Sequence, residues 1–367
     1  MTAAQPSAMP EGMVLPLSLE VDELAAMLNF ELAEHPVYDG GELQWFDDDA
    51  HGTGMLAFLS RRADGRVDYY QQHGLRLDRE RYAIGGGTGG WHEIDFDVAR
   101  LAVREDGVDA EARFTDVDGR LIEIRVDDRD GRPRRPAGLL APVSAAIEQP
   151  TSLLLVWMPR FDLVRRRGLA PVVRIGGLDA STGRLPGARL HRRHLIKHAA
   201  PVVTIAINRS TEEGRPASPP EDQQVLLDAR GAVRELHAEH AGHHARLRFA
   251  PAVPDLAALA DGASASGRWQ VAIDEAQLTG GSWSAQRRGD TATIAMDTDE
   301  RWRPGRLPWL MRLVTTVVPV FRRWPTTYRW HAEVRLDAGR GAEATLSSRW
   351  ERTGDERGRA YRSVTGS

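Results

Sequence analysis

The sequence predicts a mainly β protein: antiparallel hairpins and meanders forming two barrel-like or sandwich halves, with an N-terminal helix and few short helices. Three observations carry that expectation. Turn dipeptides recur at short intervals between runs of alternating apolar residues. Pairing strands around those turns sets opposite charges side by side. A stretch rich in Pro, Glu and Ser, residues 209–223, separates two such strings of hairpins and reads as a linker.

The elements follow in order. Residues 1–15 read as a disordered lead, and 16–208 as a first β-rich domain. Val21, Leu24, Ala25, Leu28 and Leu32 recur at helical spacing and predict an amphipathic helix over 20–33, ended near Pro36. Strands follow at 42–47, 54–62 and 66–76. Asp64 and Gly65 turn the last two so that Arg61 opposes Asp68.

The meander at 91–128 is the most explicit element. A two-residue turn at Asp106 and Gly107 pairs Val103 with Ala110 and Leu101 with Ala112. A three-residue loop at 117–119, with Gly119 left-handed, pairs Phe114 with Ile122, Ala112 with Ile124 and Ala110 with Val126. It also sets Arg113 beside Glu123 and Asp116 beside Arg120. A slip of one residue would expose the whole apolar set. The alternation changes parity between Val98 and Ala99, which predicts a β-bulge.

Residues 137–147 predict a short helix, and 152–158, 161–166, 171–176 and 200–208 predict strands. Hairpins resume over 224–352, the second domain. A two-residue turn at Ala241 and Gly242 pairs Glu235 with Arg248, His237 with Arg246 and Leu236 with Leu247. A turn at Arg288 and Gly289 pairs Trp283 with Ile294. A loop at 338–340 pairs Val334 with Ala344 and Tyr328 with Trp350. Residues 353–367 read as a disordered tail.

Composition narrows the function classes. The chain has 367 residues, a net charge of −4 and no cysteine. That charge argues against nucleic acid as a partner. The lack of cysteine excludes disulfides, thiol catalysis and cysteine-ligated zinc. The N-terminal residues lack the basic and apolar regions of a secretory signal. The longest apolar stretch, 307–321, is broken by Arg312 and Pro319 and is too short for a transmembrane segment. A cytoplasmic location is the expectation.

Tryptophans concentrate at 269, 283, 302, 309, 324, 330 and 350. Aromatic and aliphatic walls suit a pocket for an apolar small molecule. Trp302, Trp309, Phe321, Trp324, Tyr328 and Trp330 are therefore the expected ligand-binding residues of a β-barrel. A lipid or a polyketide- or isoprenoid-like compound is the expected ligand. The stretch 307–325 also suits peripheral contact with a membrane. The alternative is an enzyme acting on such a ligand by acid–base chemistry: hydration, isomerisation or cyclisation. Lys197 (the only lysine), His92, Glu93, His240 and His243 are its candidate catalytic groups. A third reading is an interaction module anchored by exposed tryptophans. No cofactor is expected.

Other patterns yield less. His191, His194 and His198 share a face only if helical, and the strand-like PVVTIAIN after them splits the group, so no metal ligand is expected. The run GGGTGG at 85–90 satisfies G-x-G-x-x-G, but a strand-like segment follows where a dinucleotide fold needs a helix. Arg165, Arg166 and Arg167 read as the wet end of a strand rather than a phosphate site. Gly-x-Trp occurs at 89–91, 267–269 and 281–283. The segment GRWQVAI is similar to the opening strand of the lipocalin signature, too short a match to assign that family.

Overall fold

The computed structural model describes residues 13–79, 82, 89–143, 147–166, 169–184, 191–216, 223–305, 307–336 and 344–353. In chain order the first part supplies β1 (Leu19–Leu24), β2 (Ala26–Glu31), β3 (Tyr38–Asp48), β4 (Gly52–Arg61), β5 (Val67–Gln72), β6 (Trp91–Ile94), β7 (Val98–Arg104) and β8 (Gly107–Thr115). It continues with β9 (Leu121–Asp127), β10 (Ala137–Ala141), β11 (Leu153–Arg165), β12 (Val172–Ile175), β13 (Leu178–Asp179), β14 (Arg193–Ala199) and β15 (Val202–Ile207). Then come β16 (Thr211–Pro216), β17 (Gln224–Leu227), β18 (Val233–His240), β19 (His243–Val253), β20 (Ser264–Ile273), β21 (Ala276–Arg288) and β22 (Thr291–Glu300). The last elements are α1 (Trp309–Val317), α2 (Pro319–Arg323), β23 (Tyr328–Arg335) and β24 (Thr345–Arg352).

The strands form three open sheets, none closed into a barrel. A ten-stranded sheet runs β1-β15-β11-β14-β2-β3-β4-β5-β6, with β10 attached to β11. A five-stranded sheet runs β13-β12-β9-β8-β7, and a nine-stranded one β16-β24-β23-β22-β21-β20-β19-β18-β17. The ten-stranded sheet is the middle layer. Leu28, Phe30, Met55, Ala57 and Leu59 pack on one side with Phe114, Ile122 and Ile124 of the five-stranded sheet. On the other side Leu56, Phe58, Leu155 and Ile205 share a core with Leu236, Leu247, Trp269 and Trp330 of the nine-stranded sheet. A sheet covered on both faces needs apolar residues at successive positions, as in β15, where all six residues are buried.

That double burial explains the main departures from the sequence reading. The expected helix over 20–33 is β1 and β2, which pair with β15 and with β14 and β3. Apolar residues needed on both faces of β2 imitate a helical period. The expected lead is ordered from residue 13, and Met13, Val14 and Leu15 enter the core. The expected helix at 137–147 begins as β10 instead, because it pairs with β11. The parity change near Val98 is not a bulge. The chain leaves the middle sheet after β6 and joins the five-stranded sheet at β7. Part of the expected linker is β16, paired with β24. Residues 85–88 of the glycine run, 1–12 and 354–367 lie outside the described residues.

Hairpin registers keep the expected face throughout. The β8–β9 and β18–β19 pairs match residue for residue. Four others are displaced by two: Leu101 meets Ala110, Leu59 meets Asp68, Trp283 meets Met296 and Val334 meets Leu346. A step of two preserves which side chains face the core. Arg61 still reaches Asp68, Nε to Oδ2, at 2.6 Å.

Two of the Gly-x-Trp segments turn out to be one device. In the β20–β21 pair, Gly267 lies opposite Trp283, and Trp269 opposite Gly281. Each glycine leaves room for the indole of the other strand. A Cβ on Gly267 would sit 2.8 Å from Trp283 Nε1, and one on Gly281 2.8 Å from Trp269 Nε1. Trp269 Nε1 donates to the Asp297 carbonyl at 3.1 Å, which fixes the ring.

Candidate functional site

The expected aromatic residues divide by position. Alternation along β23 turns Tyr328 and Trp330 inward, and both are buried. Trp324 is buried beside them, edge-on to Tyr328 at 6.1 Å between ring centroids. Phe321 is half-buried against the same core. Trp302 lines a cleft of about 1090 Å³, and Trp309 lines a smaller pocket of about 280 Å³.

The larger cleft has an aromatic wall that the sequence reading missed. Trp157, on β11, meets Trp302 edge-on with centroids 6.4 Å apart. Gly138 of β10 allows this, since a Cβ there would lie 2.5 Å from the Trp157 ring. Leu278 and Leu307 extend the apolar wall, and Gln270, Gln277 and Thr279 supply polar groups. Asp299 and Glu300 also line the cleft, but both carboxylates bind the Arg268 guanidinium at 2.6 Å. Trp157 sat in an expected strand, yet only the three-dimensional pairing brings it to Trp302.

The smaller pocket is lined by Arg135, Arg165, Arg193 and His191 against a single carboxylate, Asp162, with Trp309 and Met311 at its side. Burial, reinforced by neighbouring Arg165 and Arg134, holds the Arg193 guanidinium below its ordinary pKa. Arg165 thus stands in a cationic pocket rather than at a wet strand end.

The candidate catalytic groups do not converge. Lys197 Nζ bonds Glu31 Oε1 at 2.7 Å and Asn29 Oδ1 at 3.3 Å, because β14 pairs with β2. His92 and Glu93 lie on β6, five strand spacings from β14, or about 24 Å. Glu93 there pairs with His73 at 3.0 Å.

His240 and His243 flank their hairpin turn as expected, and that turn meets the first part of the chain. His243 Nε2 lies 3.0 Å from Glu23, and its Nδ1 2.9 Å from Asp274. His240 Nε2 lies 3.5 Å from Asp22 Oδ1. His51, at the β3–β4 turn, places Nε2 3.3 Å from Asp22 Oδ2 and Nδ1 2.9 Å from Asp48. Hydrogen bonding to Asp22, with Asp48 behind, pushes the His51 pKa up to about 9. The sequence reading found the two hairpin histidines but not Asp22, Glu23, Asp48, His51 or Asp274. No local spacing links them. His191, His194 and His198 are elsewhere, and His198 is buried near Asp128 and Asp162. Comparison of the chain with protein-family models, curated proteins and solved structures gave no match.

Proposed function

We propose that the protein binds an amphipathic, lipid- or isoprenoid-like molecule in the Trp157–Trp302 cleft while resting on an anionic membrane surface. The observation that carries the reading is the outward face of α1 beside that cleft. Trp309, Leu313 and Val317 are 64%, 51% and 57% exposed. Their spacing of four puts them on one side of the helix. Met311 faces the core instead. A surface helix ordinarily turns its apolar side inward.

Charge names the occupant. Arg301, Arg303, Arg312 and Arg323 are exposed around the stripe. No acidic residue occurs between Glu300 and Glu333. Apolar side chains ringed by arginine suit the headgroup level of an anionic bilayer. The helix is nine residues, about 13 Å, so it would lie in the interface. Among the described residues no helix is long and apolar enough to cross a membrane. Leu307, two residues before Trp309, lines the cleft, so a ligand leaving the bilayer would meet the indoles directly. Its apolar part would lie on Trp157 and Trp302, and its polar end at Gln270, Gln277 and Thr279.

Vesicle sedimentation tests the membrane part. The chain should pellet with phosphatidylserine-containing vesicles, less with zwitterionic ones, and less as salt rises. The double variant Trp309→Glu, Leu313→Glu should stay in the supernatant. Equal pelleting of that variant would sink this part. Native mass spectrometry tests the cleft: an extractable amphiphile should co-purify with the parent chain and be lost from Trp302→Ala. Retention by that variant would move the ligand elsewhere.

A further inference from the structure

We propose that Asp22, His51 and His240 form a Zn2+ site at the seam between the middle sheet and the nine-stranded sheet. This site is separate from the cleft and from α1. Each of the three residues offers one ligand atom, and these atoms all lie within 4.8 Å of one another. A tetrahedral zinc with bonds of about 2.0–2.1 Å holds its ligand atoms about 3.3–3.4 Å apart. His51 Nε2 lies 3.3 Å from Oδ2 and His240 Nε2 3.5 Å from Oδ1 of the Asp22 carboxylate, so a small rotation of that side chain brings one oxygen toward this spacing from both rings.

Two further features point to a cation. His51 Nδ1 is hydrogen-bonded to the Asp48 carboxylate at 2.9 Å. Metal-binding imidazoles are oriented in this way, with the proton on one nitrogen given to a carboxylate and the other lone pair turned outward. His51 Nε2 is thereby turned toward the Asp22 carboxylate, where a zinc ion would take the place of the shared proton. His240 Nε2, aimed at the same carboxylate, is shielded from solvent and has no hydrogen-bond partner. The two imidazoles stand edge-on, with centroids 6.3 Å apart.

The donor set selects the ion. Two imidazole nitrogens and one carboxylate suit zinc, whereas calcium and magnesium take oxygen ligands. The Asp22 side chain is 46% exposed, which leaves a route in and a fourth position for water. His243 is not a ligand, because Glu23 and Asp274 occupy both its nitrogens. The three ligands come from β1, the β3–β4 turn and the end of β18. A bound ion would therefore tie the two parts of the chain together.

Isothermal titration of the chelator-treated full chain with Zn2+ tests this, alongside thermal melts with and without the ion. One ion should bind per chain and raise the melting temperature. Asp22→Asn and His240→Ala should abolish both effects, with circular dichroism showing the fold retained. Asp48→Asn, at a residue that is no ligand but orients the His51 ring and its turn, should weaken binding about 10- to 100-fold. His331→Gln, an exposed histidine on β23, should change neither effect. No uptake by the parent chain would overturn the proposal whatever the variants do. So would uptake that survives both Asp22→Asn and His240→Ala.

Discussion

The nine-stranded sheet and the ten-stranded sheet differ in how far apart their neighbours lie along the chain. From β17 to β24 each strand of the nine-stranded sheet pairs with the next, and only β16 returns to close beside β24. In the ten-stranded sheet β1 lies beside β15, and β14 is inserted between β11 and β2. The first sheet has one dry and one wet face. The second is covered on both. Local pairing with one buried face fixes register by turns and alternation. Distant pairing with two buried faces leaves register to packing partners that arrive from elsewhere. Stability in the two sheets should accordingly hang on different kinds of residue.

Three substitutions separate those kinds. The largest effect is expected in the nine-stranded sheet. Gly281→Ala drives a methyl group into the Asp297 carbonyl and against Trp269. A loss of about 3 kcal/mol is expected, seen as a lower urea midpoint with an unchanged slope. If the midpoint holds, the Gly–Trp interlock does not fix this sheet.

The next concerns the middle sheet. His198 of β14 is buried, neither ring nitrogen has a hydrogen-bond partner, and burial pushes its pKa down to about 4. An unfolded imidazole titrates near 6.5. Above that pH neither state holds the proton and the residue adds no pH dependence. As pH falls below about 6.5 only the unfolded chain takes up the proton, so stability drops until about pH 4. By pH 5 the loss should be about 2 kcal/mol. His198→Leu should cost nothing at pH 8 and remove that acid slope. An identical slope in the variant would show that the ring titrates freely.

The smallest effect belongs to a turn. Gly119 has φ +81°, and nothing lies within 4 Å of where a Cβ would stand. Gly119→Ala should cost only backbone strain, about 1 kcal/mol in urea melts. A loss as large as that of Gly281→Ala would mean that the turn, rather than the sheet, sets the β8–β9 register.

The same contrast explains how much could be read from the letters. Face parity was legible in each hairpin for which a pairing was read, because a period of two is written in Phe114, Ile122 and their neighbours. The absolute step was legible where the turn admitted one length, as at Ala241 and Gly242. It was misplaced by two where Asp106 and Gly107 suggested a turn that Glu105 and Asp106 make instead. β2 was illegible because double burial mimics a helix. The candidate sites lay on the same divide. His240 and His243 are neighbours in one hairpin and could be seen together. Asp22 and His51 reach them only through packing between sheets, and Trp157 reaches Trp302 in the same way.

The open sheets carry a consequence for association between chains. A sheet that does not close has two ends, and an unpaired end is a template on which another chain can add a strand. Here β6 and β17 have four residues each and β13 has two. Such short ends offer a foreign strand few hydrogen bonds. β1, β7 and β16 are longer, but each carries charged residues: Glu20, Asp22 and Glu23 on β1, Arg100 and Arg104 on β7, and Glu212, Glu213 and Arg215 on β16. The molecule thus limits fibre-like growth by how its sheets stop, and needs no barrel to do so.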